Sequence, residues 1–256
     1  MKLLNKGLVS MLAVVFALGL AGPVNAATTT IDLKTAGAYA ILAGAGITNT
    51  GATTVAGDAG SSATPTQTGF ETVTFTSGAN HTVADPNDEA TQGAKVDLIT
   101  AYTDAAARTG ATTLIANETD SFSGVGYTLA PGVYKSASSI GLTGTLTLDA
   151  QGDTNAVWIF QAGSTLTTAS ASRVSLVNGA QSCNVFWQVG SSATLGTTTT
   201  FIGNILALES ITLTTGATVN GRVLARNAAV TLDANTITAT TCTTPSAEAT
   251  AAGHRS

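Results

Sequence analysis

Asp58, Asp149, Asp153 and Asp233 are the residues of this chain most readily turned to catalysis. Paired carboxylates in a groove cleave polysaccharides, and clustered carboxylates hold a cation. Asp58 and Asp153 stand beside Gly and Asp233 two residues before Asn235, at likely corners where Asp instead closes turns by bonding nearby backbone. His81 and His254 have no evident partner. Two His and two Cys are thin material for a zinc or copper site. No catalytic residue, metal site or cofactor is therefore expected. Cys183 and Cys242 are the remaining reactive pair. In an oxidising compartment a disulfide between them would pin the C-terminal segment back along the chain. Trp158 and Trp187 read as core beneath a helix rather than as a sugar platform, and Arg222 and Arg226 as flanking that helix or corners.

The composition narrows the class further. Of 256 residues only 10% are charged, 44% are hydrophobic, 27 are Gly and 47 are Thr. A net charge of -5 leaves no basic surface for nucleic acid. So much Val, Ile and Leu with so little charge does not describe a disordered chain. One Thr-rich β domain with a substantial core remains.

Lys2 and Lys6, the apolar run Leu8–Ala21 and the small residues Val24-Asn25-Ala26 form an export leader. This reading gives a leader at 1–26, a domain at 27–245 and a flexible tail at 246–256. No second run of spanning length follows. The mature protein is expected to be secreted, extracellular, free of membrane and monomeric.

One segment has helical periodicity. Asp85 can cap, Pro86 suits the first helical position, and Asp88 and Glu89 favour the positive end of the dipole. Ala90, Ala94, Leu98, Tyr102 and Ala105 make one apolar stripe, and Gly110 is a natural stop. The expected helix covers about 86–109.

Six short segments elsewhere repeat one pattern: GITNTG (46–51), SIGLTG (139–144), GSTLTT (163–168), SATLGT (192–197), SITLTT (210–215) and AVTLDA (229–234). From the second onward they start roughly 20 residues apart, one turn of a solenoid with three strands per turn. Alternate strand residues face opposite ways. The second column (Ile47, Ile140, Ser164, Ala193, Ile211, Val230) and the fourth (Asn49, Leu142, Leu166, Leu195, Leu213, Leu232) are expected to face inward. The third then faces out with Thr48, Gly141, Thr165, Thr194, Thr212 and Thr231. So does the fifth, with Thr50, Thr143, Thr167, Gly196, Thr214 and Asp233. Gly141 and Gly196 leave gaps in this grid, and Asp233 puts a carboxylate on it.

A second type of strand precedes these, as in AYAILAG, NAVWIFQAG, NVFWQVG, NILALE and GRVLAR. Neighbouring residues there are apolar together, so both faces are covered. The solenoid interior covers one and the helix the other. A third set lies around Val55, Leu146, Val174, Ile202, Val219 and Ile237. The pattern therefore predicts a mainly β, three-sided solenoid. One side is sealed by the helix, one is a flat Thr face, and one is ordinary solvated surface.

Coils lie about 4.8 Å apart, and outward residues on one strand about 6.7 Å apart. Two Thr columns make a near-planar grid of methyls and hydroxyls, stiffened at χ1 by β-branching. Such a grid can order water above its methyls while its hydroxyls anchor the layer. Thr is also simply favoured on exposed strands, so the pattern alone leaves a plain surface open.

The segments ITNTGATTVAGDAG, LAPGVY, NAVWIFQAGSTLTT, NVFWQVGSSATLGTTTTFIGNILA, TGATVNGRVLA and AVTLDANTIT together resemble the secreted ice-binding β-solenoid family of cold-adapted bacteria, fungi and algae. The resemblance spans roughly Ile31 to Thr240. It implies a right-handed, discontinuous solenoid with one long helix along one side, and an N-terminal coil (Ala38–Gly60) stacked on the C-terminal coil. It also implies adsorption to an ice crystal surface through one flat face, with freezing-point depression and recrystallisation inhibition and no reaction catalysed. That face maps best to Thr48, Thr50, Thr143, Thr165, Thr167, Thr194, Thr212, Thr214 and Thr231. The alternatives are an extracellular adhesive or matrix module binding glycan or another cell surface through the same side, and a β-helix lyase or hydrolase.

Overall fold

The structure, a computed structural model, describes residues 28–81, 88–114 and 122–243. The leader at 1–26, the Asp85–Pro86 helix start, His254 and the tail at 246–256 lie outside them.

Among the described residues the short β-branched and aromatic runs form one continuous sheet of nineteen strands, and the pairings are parallel. Each coil contributes a strand to each of three sides. On the helix side lie Trp158–Ala162 and Val185–Val189. On the Thr side lie Leu166–Thr168 and Ala193–Leu195. On the third side lies Arg173–Val177, and Thr200–Ala207 begins there and runs round the next corner. The fold is thus a three-sided β-solenoid. Ile41 pairs with Val223 and Thr48 with Thr231, so the first coil stacks on the last. The chain starts at that end, crosses to the far end along the helix, and returns coil by coil from the pairing of Thr112 with Tyr134.

Both faces of the helix-side strands are dry. Ile159, Phe186, Leu206, Leu224 and Leu42 point outward into a cluster with the helix. Trp158, Phe160, Trp187, Ile205 and Val223 point into the solenoid. The two tryptophans are therefore inside the coil stack, not under the helix as the sequence suggested. Alternation decides this: Ile159 and Phe186 take the helix-facing positions. Inside, rings stack from coil to coil, with centroids 5.5 Å apart for Tyr134–Phe160, 3.9 Å for Phe160–Trp187 and 5.0 Å for Trp187–Phe201. On the third side the inward column takes Phe201, paired with Val219, while its neighbour Ile202 is half-exposed.

The helix spans Glu89–Ala107. Asp88, not Asp85, is its cap, accepting from the Ala90 N–H at 3.1 Å. It ends before Gly110 because the solenoid caps it. The Gln161 amide donates to the Ala105 and Arg108 carbonyls at 2.8 and 2.9 Å, which otherwise lack partners at a helix end. The buried stripe is Thr91, Ala94, Leu98, Ala101, Tyr102 and Ala105, with Lys95. Ala90 is exposed; the stripe starts one residue later because the Thr91 hydroxyl bonds the buried Tyr39 hydroxyl at 3.0 Å. Burying Leu98 alone contributes about 2 kcal/mol. Lys95 donates to the Ala225 carbonyl at 2.7 Å. Its burial, aided by the nearby Arg226 guanidinium, pushes its pKa down to about 8.

Cys183 and Cys242 form a disulfide, 59 residues apart in sequence with Cα atoms 5.4 Å apart. It ties the segment after the last strand to the turn that enters Val185–Val189. A closure of this length restricts the unfolded chain by about 4 kcal/mol. Reduction is therefore expected to lower the melting temperature by about 8 °C. Calorimetry with and without reductant checks this, and an unchanged melting temperature would count against the bond's contribution.

Candidate functional site

The Thr side is built by strict alternation. Ile47, Ile140, Leu166, Ala193, Ile211 and Val230 fill one inward column, and all are buried. Asn49, Leu142, Thr168, Leu195, Leu213 and Leu232 fill the other and are buried too. Between them stands an outward ladder in which Thr68 pairs with Thr48, Thr48 with Thr231, Thr231 with Thr212, Thr212 with Thr194 and Thr194 with Thr167. Gly141 ends it. Six successive coils thus present Thr at one position. Each of these threonines is exposed except Thr212, which is half-exposed.

This register corrects the sequence alignment at 163–168 by two residues. Leu166, not Ser164, pairs with Ile140 and Ala193, which places Thr167 in the central ladder and Thr165 one column away. The inward position expected for Leu166 is held by Thr168. It tolerates burial because its hydroxyl is paired with the Thr199 hydroxyl at 2.8 Å and accepts the Gly196 N–H at 2.9 Å. Thr165 sits at an edge column of hydroxyls, 2.8 Å from the Ser139 oxygen, while Ser210 donates to Ser192 at 3.0 Å.

The opposite edge column carries Thr143, Gly196, Thr214, Asp233 and Thr50. Thr50 pairs with Asp233. Thr143 and Thr50 are exposed and Thr214 is half-exposed, with its hydroxyl donating to the Leu195 carbonyl at 2.8 Å. Gly196 cannot be filled: a Cβ there would lie 2.6 Å from the Thr168 carbonyl oxygen. The Asp233 carboxylate accepts from the Thr215 hydroxyl at the corner, which draws it toward the edge of the face. In the central ladder, by contrast, no protein group among the described residues bonds the hydroxyls of Thr48, Thr68, Thr167, Thr194, Thr212 or Thr231. They are open to whatever covers the face.

Thr68 was not foreseen. Its strand, Asp58–Thr68, carries Pro65 and pairs with irregular register steps, so the apolar alternation that exposes the other rungs is missing.

The aspartates do not converge. Asp149 accepts from the Gln151 N–H and Asn178 amide, both at 2.8 Å, and Asp153 from the Asn155 N–H at 2.8 Å; both close turns. Asp58 accepts the Ala79 N–H at 2.8 Å. His81, read as partnerless, lies between Asp58 and the helix cap Asp88, 3.3 Å from each carboxylate on opposite ring nitrogens. The ring thus sits where the helix start meets a solenoid corner, with no hydrogen bond at its Nε2 among the described residues. Arg222 is buried and donates to the Gly37 carbonyl at 2.9 Å and the Asn204 side chain at 2.9 Å, and Arg226 lies 5.5 Å over the Tyr102 ring. Among the described residues no three His, Cys, Asp or Glu are grouped to hold a metal, and no helix is long and apolar enough to cross a membrane.

Residues 41–238 match the family model described as ice-binding-like. An ice-binding protein of Nostoc sp. (strain HG1) is 46% identical over 221 residues, covering 85% of this chain and 77% of that protein. The crystal structure of an ice-binding protein from an Antarctic biological consortium aligns with a TM-score of 0.75 at 44% identity, over 83% of this chain and 92% of that one. That of an ice-binding protein from the Antarctic ascomycete Antarctomyces psychrotrophicus aligns with a TM-score of 0.73 at 40% identity, over 83% of this chain and 100% of that one.

Proposed function

The chain belongs to the ice-binding-like family, and from that premise we propose that it adsorbs to ice through the Thr side of its solenoid. The observation that carries this reading is the six-rung ladder from Thr68 to Thr167 with its hydroxyls unpaired among the described residues. Each rung offers a methyl and a free hydroxyl at a fixed χ1. The coil spacing repeats them about every 4.8 Å. Water already ordered over such a lattice loses little further entropy when it joins a crystal, and apolar methyl area is removed from liquid water at the same time. Long charged side chains, which hold disordered water, are absent from the ladder.

Thr48, Thr68, Thr167, Thr194, Thr212 and Thr231 form the centre of the contact. Thr50, Thr143, Thr165 and Thr214 extend it at the edges, where Thr165 and Thr214 already have protein partners. Adsorbed molecules pin the ice front, which bulges between them. The resulting curvature lowers the local freezing temperature and slows recrystallisation. No reaction is involved. Residues 1–26 serve as an export leader and the mature chain acts outside the cell, as a monomer, with residues 27–245 as the working domain and 246–256 as a tail.

The test is thermal hysteresis and recrystallisation inhibition by the purified exported chain, with glycan binding measured alongside. Both ice effects are expected. Glycan binding without any effect on ice growth would replace this reading with the adhesive one.

A further inference from the structure

One edge of the three-sided solenoid does not border the Thr side: the corner where the third side turns into the helix side. Between Ile140–Asp149, whose end lies on the third side, and Trp158–Ala162 on the helix side, this corner is a fixed turn. Gln151 and Gly152 take left-handed backbone, and the Asp153 and Ala156 N–H groups donate to the Ala150 and Asp153 carbonyls at 2.9 and 3.1 Å. Beside it runs the loop that leaves the helix, anchored where Thr112 pairs with Tyr134. The start of the described chain lies there too, held by Arg108, which donates to the Thr29 carbonyl at 2.9 Å. Together these segments enclose a cleft of about 350 Å³. That is within the size range of small-molecule sites and gives room for a sugar ring.

The lining divides by chemistry. Val133, Ala156 and Val157, all buried, form an apolar floor. Around it stand the hydroxyls of Thr28, Thr109 and Thr112, the Asn155 amide and the Asp153 carboxylate. Asp153 accepts from the Asn155 N–H at 2.8 Å through one oxygen. Its other oxygen, the three hydroxyls and the Asn155 side chain have no protein partner among the described residues. Five polar groups therefore converge on one cleft with their bonding capacity open. A carboxylate accepts from a sugar hydroxyl, an amide donates to one and accepts from its neighbour, and threonine hydroxyls do both. An apolar floor suits the C–H face of the ring. No Lys or Arg lines the cleft, so an anion would meet Asp153 with nothing to offset the repulsion. A metal ion would find one carboxylate where it needs several oxygen ligands.

We propose that this cleft binds a neutral hexose ring. The site is separate from the Thr side and does not depend on it. A consequence of its position does rest on the Thr-side reading: the cleft lies on the edge opposite the face that meets ice. A molecule lying on ice therefore holds the sugar toward the liquid, and joins ice to a neutral glycan.

The probes are the methyl glycosides of glucose, galactose and mannose, with galacturonate as the charged control, offered to the purified exported chain. Saturation-transfer NMR reports contact, and a titration reports affinity. At least one of the three glycosides is expected to bind at millimolar concentration, and galacturonate at least tenfold more weakly. The Asn155 side chain supports nothing else in the fold, and Asn155→Ala is expected to weaken binding about tenfold. Thr109→Trp, on the exposed loop, fills the cleft and should abolish binding. Asp153→Asn keeps an acceptor for the turn and serves as a second lining variant should Thr109→Trp not fold; it should also weaken binding about tenfold. All three variants should keep wild-type thermal hysteresis, and Thr212→Tyr should keep wild-type sugar binding. No saturation transfer to any of the three glycosides at tens of millimolar, or binding that survives the lining variants, refutes the site. Binding lost in Thr212→Tyr but kept in the lining variants moves the sugar to the Thr side and refutes it as well. Sugar binding by a wild-type protein without hysteresis keeps this site and overturns the Thr-side reading instead.

Discussion

Thr212→Tyr is expected to reduce thermal hysteresis about tenfold, with no change in melting temperature. Thr212 stands in the ladder between Thr194 and Thr231. Its side chain is half-exposed and outside the core. Tyr is well tolerated on an exposed strand, so the fold has no reason to fail. A phenol ring standing above the plane holds its neighbours off a flat solid, and the loss therefore exceeds that of one contact. Thr212→Val separates the two halves of the threonine. It keeps the branched shape and the apolar area but gives up the hydroxyl, and is expected to retain more activity than the Tyr variant. Hysteresis measured at matched concentrations checks both. Equal activity for Thr212→Tyr and wild type would move the contact off this side.

Trp187→Ala is expected to cost about 4–5 kcal/mol of stability, more than any substitution on the Thr face. The ring is buried and stacks on Phe160 at 3.9 Å, leans on Phe201 at 5.0 Å, and donates from Nε1 to the Ile202 carbonyl at 3.0 Å. Three successive coils lose their shared contact, and the part-buried Ile202 carbonyl loses its donor. Loss of regular coil stacking also disturbs the flatness of the ladder, so activity should fall along with stability. Trp187→Phe keeps the stack but not the N–H, and should cost about half as much. Denaturant melts of the three proteins check the ranking. A small effect for Trp187→Ala would mean that the aromatic column does not hold the coils together.

The sequence made the coil repeat legible because Ile140, Ile211 and Val230, each followed two residues later by Leu, mark the inward face without ambiguity. The helix was legible from Ala94, Leu98, Tyr102 and Ala105. The slip at 163–168 has a physical origin. Ser164–Leu166 and Leu166–Thr168 both place one apolar and one small polar residue inward, and only pairing with neighbouring coils chooses between them. Thr168 is acceptable inside solely because Thr199 and Gly196 meet its hydroxyl, a contact between residues 31 apart for the two hydroxyls. The third side is a different case. Thr is followed by a large apolar residue in Thr54-Val55, Thr74-Phe75, Thr200-Phe201, Thr218-Val219 and Thr236-Ile237. Thr is favoured on any exposed strand, so those threonines carried no signal that set this side apart from plain surface. The helix start escaped because Asp88 is held by His81 and Thr91, contacts that local capping preference does not contain.

The central claim is that an uncharged threonine lattice on the outside of the coil stack meets ice. Dye-labelled protein frozen into a single ice crystal tests it most directly. Wild type is expected to stain discrete sets of planes, and Thr212→Tyr to lose the brightest set. A wild-type protein excluded from the ice, or a staining pattern that survives both Thr194→Tyr and Thr212→Tyr unaltered, would contradict it.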